Sequence, residues 1–291
     1  MWRYNRHKMQ ELLINMKIEQ LRDIQYSTIE SSIKSVEINS VEACTRRCGF
    51  CPRSDSKKYP VTNNRITTET CRNIANHLKE MNFSGRVGFV GFGEPLLSNN
   101  LEECISIIKN TLPEIKYIEI NTNADLLTAD RRRSLQLAGC TNISVSMYDC
   151  DISTKIEEMR GDVKIDMVYR HQYDEQRNFN MSIIDRKNIT YGDNILNIER
   201  PCYIPFYKLM IDWNGDVLSC QNDWARYTNF GNVNLSTILE IINSEKYVNF
   251  LMNLTSGKRD QLPCSKCNIC GTLRGKSEFD KFVKKHEKRT Y

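Results

Sequence analysis

The chain has 291 residues, 12 of them cysteine, with 40% hydrophobic residues and a net charge of +5. A chain near 300 residues buries roughly 75% of its unfolded surface without covalent staples, which excludes a small disulfide scaffold. With 26% charged residues, 13 glycines and 7 prolines, it is also not collagen-like, coiled-coil or disordered.

The N-terminus, MWRYNRHKMQELLINMKIEQ, is basic and carries no apolar core followed by small residues, so no signal peptide is expected. The most apolar short window is Val87–Phe92, far below the ~18 residues of a membrane span. The expected setting is the cytoplasm, without membrane contact. Thiols stay reduced there, and clustered cysteines point to metal or catalysis. No dense basic stripe interleaved with aromatics marks a nucleic-acid site, and Lys284–Arg289 reads as a solvated tail.

Apolar positions at Met9, Leu12, Leu13, Met16, Leu21 and Ile24 have helical spacing, and residues 1–34 are expected to form a helical extension. From Ser35 the pattern becomes strand, helix, strand, helix. Strands are expected at Ser35–Cys44, Gly85–Phe92, Ile115–Thr122, Ile143–Tyr148, Val163–Tyr169 and Met181–Ile184. Helices are expected at Thr67–Met81, capped by Thr67, at Leu101–Asn110, and at Thr128–Leu137, ended by Gly139. Alternating units of this length argue for an α/β fold with a parallel sheet or barrel over residues 35–195. Functional loops then lie at the C-terminal ends of the strands. The pattern breaks around residues 187–201, and residues 196–291 read as a second, smaller α+β domain. Its Leu209–Cys220 segment, with Asn214-Gly215 between alternating runs, is a hairpin signal, followed by a helix at Thr237–Leu251.

Cys44-Thr45-Arg46-Arg47-Cys48-Gly49-Phe50-Cys51 has the spacing C-x3-C-x2-C, in a loop directly after the first strand. Three thiolates within eight residues can converge on one soft metal centre. Four-iron clusters usually take four cysteines, so three leave one iron open, as a catalytic site requires. Other motifs follow in order. Val90-Gly91-Phe92-Gly93-Glu94-Pro95 follows the second strand, and Asn121-Thr122-Asn123 ends the third. Ser144 and Ser146 lie on the fourth, and Asp185-Arg186 is expected to end a later one.

In this set the chain resembles the radical S-adenosylmethionine (SAM) superfamily over roughly residues 35–190. The resemblance implies a partial (βα)6 TIM-like barrel. It implies a catalytic [4Fe-4S] cluster on Cys44, Cys48 and Cys51 whose open iron chelates SAM. The reduced cluster splits SAM, and the resulting 5′-deoxyadenosyl radical abstracts a substrate hydrogen. Gly91, Gly93 and Glu94 would border the methionine part of SAM, with the glycines allowing close approach. Asn121, Asn123, Ser144 and Ser146 would contact its ribose side, and Arg186 would pair with its carboxylate.

Cys202, Cys220, Cys264, Cys267 and Cys270 lie beyond the barrel, and the hairpin can bring Cys202 and Cys220 together. The residues alone leave open a structural zinc site, inert thiols or an auxiliary cluster. The layout, with Trp213–Val217, Cys220 and Gly231-Asn232-Val233, is similar to the SPASM/twitch extension of radical SAM enzymes. That resemblance implies a second [4Fe-4S] cluster on Cys202, Cys220, Cys264 and Cys267. No cysteine follows Cys270, which favours the shorter twitch form and leaves Cys270 spare. Cys71, Cys104, Cys140 and Cys150 read as packing thiols. Cys270 and Cys150 are the two candidate hydrogen-atom donors.

The expected function is a radical SAM oxidoreductase that takes a hydrogen from a sugar- or aminocyclitol-like small molecule, with the auxiliary cluster accepting an electron. The alternatives are an epimerase using a cysteine hydrogen donor, or an enzyme modifying a short peptide or protein. Either needs a low-potential electron donor such as flavodoxin or ferredoxin.

Overall fold

The computed structural model describes residues 33–60, 62–147, 165–171, 186–191, 193, 202–267, 280 and 283. The expected N-terminal helix, the strand at 181–184, Cys150, Asp185, Cys270 and most of the basic tail lie outside the described residues.

Five strands run parallel in chain order: β1 (Ser35–Ile38), β2 (Arg86–Phe89), β3 (Tyr117–Thr122), β4 (Asn142–Met147) and β5 (Asp166–His171). Three helices connect the first four: α1 (Thr68–Glu80), α2 (Leu101–Thr111) and α3 (Ala129–Leu137). α1 starts because the Thr67 hydroxyl accepts from the Thr70 amide, and Thr128 does the same for Arg131 at α3. Past α3, Gly139 adopts φ +110°, a conformation glycine takes without a Cβ clash.

The sheet order is β5-β4-β3-β2-β1-β6-β7. β6 (Lys208–Ile211) pairs parallel with β1, and β7 (Val217–Leu218) pairs antiparallel with β6. The hairpin expected in the second domain therefore extends the first sheet on the β1 side. β1 itself is shorter than expected. It ends at Ile38, because Asn39 turns its side chain to Asp212 (2.7 Å) and to the Phe92 amide (2.9 Å). The helix expected at Thr237–Leu251 is two: α5 (Ile238–Asn243) and α6 (Glu245–Thr255). Ser244 separates them with extended ψ 148°, and its hydroxyl accepts from the Tyr247 amide to begin a new helix.

Register and period 2 sort the strand residues into two faces. Val36, Ile38, Val87, Phe89, Ile118, Ile120, Ile143 and Val145 point to the helices and join one core with Ile74, Leu78, Ile105 and Ile108. The opposite face is buried and polar: Ser35, Glu37, Arg86, Glu119, Asn142, Ser144 and Ser146. Near its N-terminal end Arg86 bonds Ser35 (2.8 Å) and Glu119 (2.7 Å), and Lys208 bonds Glu37 (2.6 Å). Burial disfavours the Arg86 charge, but Glu119 and Glu37 more than offset this and raise its pKa. One ionic cluster thus pins β1, β2, β3 and β6. A Cβ at Gly88 would stand 2.9 Å from the Arg86 guanidinium, so the smallest residue is needed there.

Candidate functional site

The cysteine loop leaves β1 and closes in a tight turn. The Cys51 amide donates to the Cys48 carbonyl (2.9 Å), and the 3-10 turn Pro52–Ser54 follows at once. The Cys44, Cys48 and Cys51 thiols face one another closely enough to perturb each other's ionisation. Burial pushes Cys48 up to about 11, with the neighbouring Cys51 and Cys44 adding to it. Burial also raises Cys44, and the Arg46 amide, 3.5 Å from its sulfur, works against this. Clustered, partly buried thiols that resist ionising together are a donor set whose charge soft metal ions would neutralise. The residues therefore fit an iron–sulfur cluster held by three thiolates.

The loop after β3 braces this site. Thr45 and Arg46 bind the Asp125 carboxylate, Arg46 by two nitrogens at 2.7 and 2.5 Å. Asn123 donates to Thr45 (2.9 Å) and lies 3.9 Å from the Cys44 sulfur. Glu94 holds Asn123 in turn. Its carboxylate accepts from the Asn123 amide (2.9 Å), the Thr122 hydroxyl (2.6 Å) and the Leu96 amide (3.2 Å). Burial pushes the Glu94 carboxyl up to about 7, and these bonds pull it back.

Gly91 and Gly93 are required for a nearer reason than an approach to SAM. A Cβ on Gly93 would lie 2.0 Å from the Val41 carbonyl oxygen, and one on Gly91 2.5 Å from Asn39 Oδ1. These glycines let the loop after β2 press onto the backbone leading to Cys44. Asn121, Ser144 and Ser146 come together on the polar face, with Ser146 donating to Asn121 (3.2 Å). The Ser144 hydroxyl is buried and has no partner among the described residues, so this face keeps polar capacity for a ligand. Arg186 lies in a helix, α4 (Arg186–Tyr191), and the strand expected before it lies outside the described residues. That helix packs against both the Pro52–Ser54 turn, which follows Cys51, and the turn at Cys264–Lys266.

The second group also gathers. Burial raises the Cys220 thiol well above its ordinary value, and Cys267, Cys264 and Cys202 add to the shift. Burial raises Cys264 too, followed by Cys202 and Cys267. The loop after Cys220 is rigidly organised, with Asp223 accepting from the Tyr227 and Thr228 amides at 2.9 Å each. No disulfide forms among the ten described cysteines. Among the described residues no three metal-binding side chains are spaced to hold a single ion. Cys71, Cys104 and Cys140 sit in the core as expected of packing thiols.

Several site residues carry no motif and escape a reading of spacing alone. Arg226 donates to Asp212 (2.8 Å), to Glu42 and to the Tyr59 hydroxyl, and lies 4.7 Å from the Phe92 ring centroid. It ties the cysteine loop to the hairpin. Arg53 is buried beside Tyr59 and Trp224. The only sequence signal for these is an arginine two positions past a ligand cysteine and another six past Cys220.

The three-thiol loop, the glycine-supported loop after β2 and the polar strand ends define a class, and comparison with known proteins agrees. Residues 38–168 match the Radical SAM superfamily, and residues 202–270 match the SPASM iron–sulfur cluster-binding domain. The chain is a radical SAM enzyme with a C-terminal SPASM domain, which implies SAM, a catalytic [4Fe-4S] cluster and auxiliary iron–sulfur binding. The SPASM match ends on Cys270 and includes all five late cysteines. The chain is 27% identical to the S-adenosyl-L-methionine-dependent 2-deoxy-scyllo-inosamine dehydrogenase of Niallia circulans, over 81% of this chain and 92% of that protein. It is 32% identical to a probable GTP 3′,8-cyclase of Methanococcus aeolicus, over 41% of this chain and 38% of that one. Among solved structures, BtrN in complex with AdoMet and 2-DOIA superposes with a TM-score of 0.65 at 24% identity, covering 83% of this chain and 95% of that one. Native anSMEcpe with bound AdoMet gives 0.52 at 14%, covering 88% and 97%. Both share the fold. No helix among the described residues is long and apolar enough to cross a membrane.

Proposed function

We propose that this enzyme dehydrogenates an alcohol carbon of an aminocyclitol or a closely related amino sugar. One observation carries this reading: the similarity to the Niallia circulans dehydrogenase spans 81% of this chain and 92% of that one. Cys44, Cys48 and Cys51 would hold the catalytic cluster with three thiolates. When bound and reduced, the cluster with SAM supplies one-electron chemistry that removes a hydrogen atom from carbon. The protein's own groups do the rest. Thr45, Arg46, Asn123 and Asp125 fix the loop, and Glu94 fixes the strand end behind it. Asn121, Ser144 and Ser146 offer hydrogen bonds to the SAM ribose, and Arg186 to its carboxylate.

Removing a hydrogen atom from the carbinol carbon leaves one electron and one proton to take away before the ketone forms. Cys202, Cys220, Cys264 and Cys267 would hold a single auxiliary cluster, which would supply a one-electron acceptor, and the hydroxyl proton would pass to solvent. Phe92, Met210, Leu218 and Trp224 form an apolar cluster with Cys51 and Tyr59 packed on it, which keeps water from the catalytic loop. A low-potential carrier of the flavodoxin or ferredoxin type supplies the priming electron.

The test is incubation with SAM, a low-potential reductant and an aminocyclitol. Expected are 5′-deoxyadenosine and the ketone in equal amounts, and neither in Cys48→Ala. Deoxyadenosine formation that no aminocyclitol or amino sugar stimulates would overturn the substrate class. Its persistence in Cys48→Ala would overturn the assignment of the catalytic cluster.

A further inference from the structure

Arg53 is a buried cation with an unfilled fork. It is 1% exposed, and both of its terminal nitrogens have no partner among the described residues. Only Nε is used, donating to the Phe92 carbonyl at 2.7 Å. The guanidinium sits over the Tyr59 ring at 5.1 Å and near the Trp224 ring at 5.8 Å. Rings of this kind attract a cation through their quadrupole but do not neutralise it. Burying an ion costs several kcal/mol even after the surroundings relax. The aromatic box therefore offsets part of the cost, and among the described residues no anion pairs with the two terminal nitrogens. The carboxylates of the adjoining network are engaged elsewhere: Glu42 and Asp212 by Arg226, Glu94 by Thr122, Asn123 and Leu96.

An anion for the two terminal nitrogens has an obvious source in position. Arg53 lies in the turn that follows Cys51 directly, and Cys51 packs on the same apolar cluster whose Trp224, with Tyr59, boxes the guanidinium. A four-iron cluster held by three thiolates carries net negative charge on its sulfurs. We propose that Arg53 is the fixed counter-cation of the catalytic cluster, with its two terminal nitrogens turned to the cluster sulfurs, and that it makes the cluster easier to reduce. The inference rests on the reading that Cys44, Cys48 and Cys51 hold that cluster. Reduction adds one electron from an external one-electron donor and breaks no bond, so the cluster gains one negative charge. A cation in a dry, low-dielectric box stabilises the more negative state. The box is closed by Trp224 from the SPASM segment, so that segment also keeps this charge out of water.

The experiment is a reductive titration of the fully iron-loaded enzyme, following by EPR the signal that changes when SAM is added. In Arg53→Gln the reduced-to-oxidised ratio at the wild-type midpoint should fall about tenfold, a shift of ~59 mV to more negative potential. Arg53→Lys should stay near wild type, and the signal that ignores SAM should not move. An unchanged midpoint in fully loaded Arg53→Gln would overturn the proposal. If that variant loads poorly, wild-type enzyme grown on arginine carrying 15N in the guanidinium alone decides. Pulsed EPR should find a nitrogen coupling to the reduced cluster that disappears in Arg53→Lys, and its absence from wild type would equally overturn the proposal. Neither result depends on turnover, so both are separable from the substrate assignment.

Discussion

The hydroxyl of Thr122 donates a 2.6 Å hydrogen bond to the carboxylate of Glu94, joining the loop after β2 to the end of β3 beneath the cysteine loop. Together with the Asn123 amide it makes Glu94 the internal strut beneath the cysteine loop.

That strut predicts a pH dependence. Burial raises the Glu94 carboxyl from 4.5 to about 7, so the folded state holds a proton that the unfolded chain releases. Its contribution is fully present below pH 4.5 and is lost as pH rises through 7. Wild type should therefore lose roughly 3 kcal/mol relative to Glu94→Gln across that window. Thermal midpoints of both proteins from pH 4 to 8 measure this. Parallel profiles would contradict the raised value.

Two glycines of the site should respond oppositely to alanine. At Gly93 the added Cβ meets the Val41 and Ala43 carbonyl oxygens at 2.0 and 2.6 Å. Gly93→Ala should cost ~1–3 kcal/mol and lower the iron content, because the backbone entering Cys44 must move. At Gly49, inside the cysteine motif, a Cβ meets nothing within 4 Å. Gly49→Ala should stay within about 0.5 kcal/mol with full iron. Iron analysis and melting curves of the two variants make the comparison.

Arg226 holds Asp212, which is 2% exposed, together with Glu42. Arg226→Met leaves both carboxylates uncompensated and should cost ~3 kcal/mol. Adding Asp212→Asn should restore part of that loss, with a coupling of about 1–3 kcal/mol in a double-mutant cycle. Strict additivity would mean that the pair does not act as one unit.

The core thiols should be chemically silent. Burial pushes Cys140 up to about 12, and Cys71, hydrogen-bonded to Cys104 and buried, is raised well above its usual range. Native alkylation near neutral pH, read by peptide mass spectrometry, should leave both unmodified, because the thiolate is the reacting form. Modification of either before the protein unfolds would show the helix layer to be open.

What the sequence made legible was local. The βα alternation, the threonine cap at Thr67, the stop at Gly139 and the two cysteine groups all follow from spacing over a few residues. Ser244 was hidden because Ile238–Leu251 keeps an apolar helical pattern straight through the break. The placement of β6 beside β1 was hidden more deeply. Asn39 and Asp212 are 173 positions apart, and no spacing rule links them. Arg53 was missed for a related reason, because an arginine reads as surface until the rings that cover it are known. Likewise the glycines after β2 resemble a cofactor approach in sequence. The fold gives them a nearer obstacle, the chain's own carbonyls.

The pairing of β1 with β6 also sets an order of events during synthesis. The cysteine loop leaves β1, but one edge of that strand is completed only when residues 208–211 arrive. At ~5–20 residues per second, the ribosome takes roughly 10–35 s to add the 173 positions from Asn39 to Asp212. Throughout that interval Asn39 lacks its aspartate and Glu42 its arginine. The three thiols of the loop are made early but reach their final scaffold late.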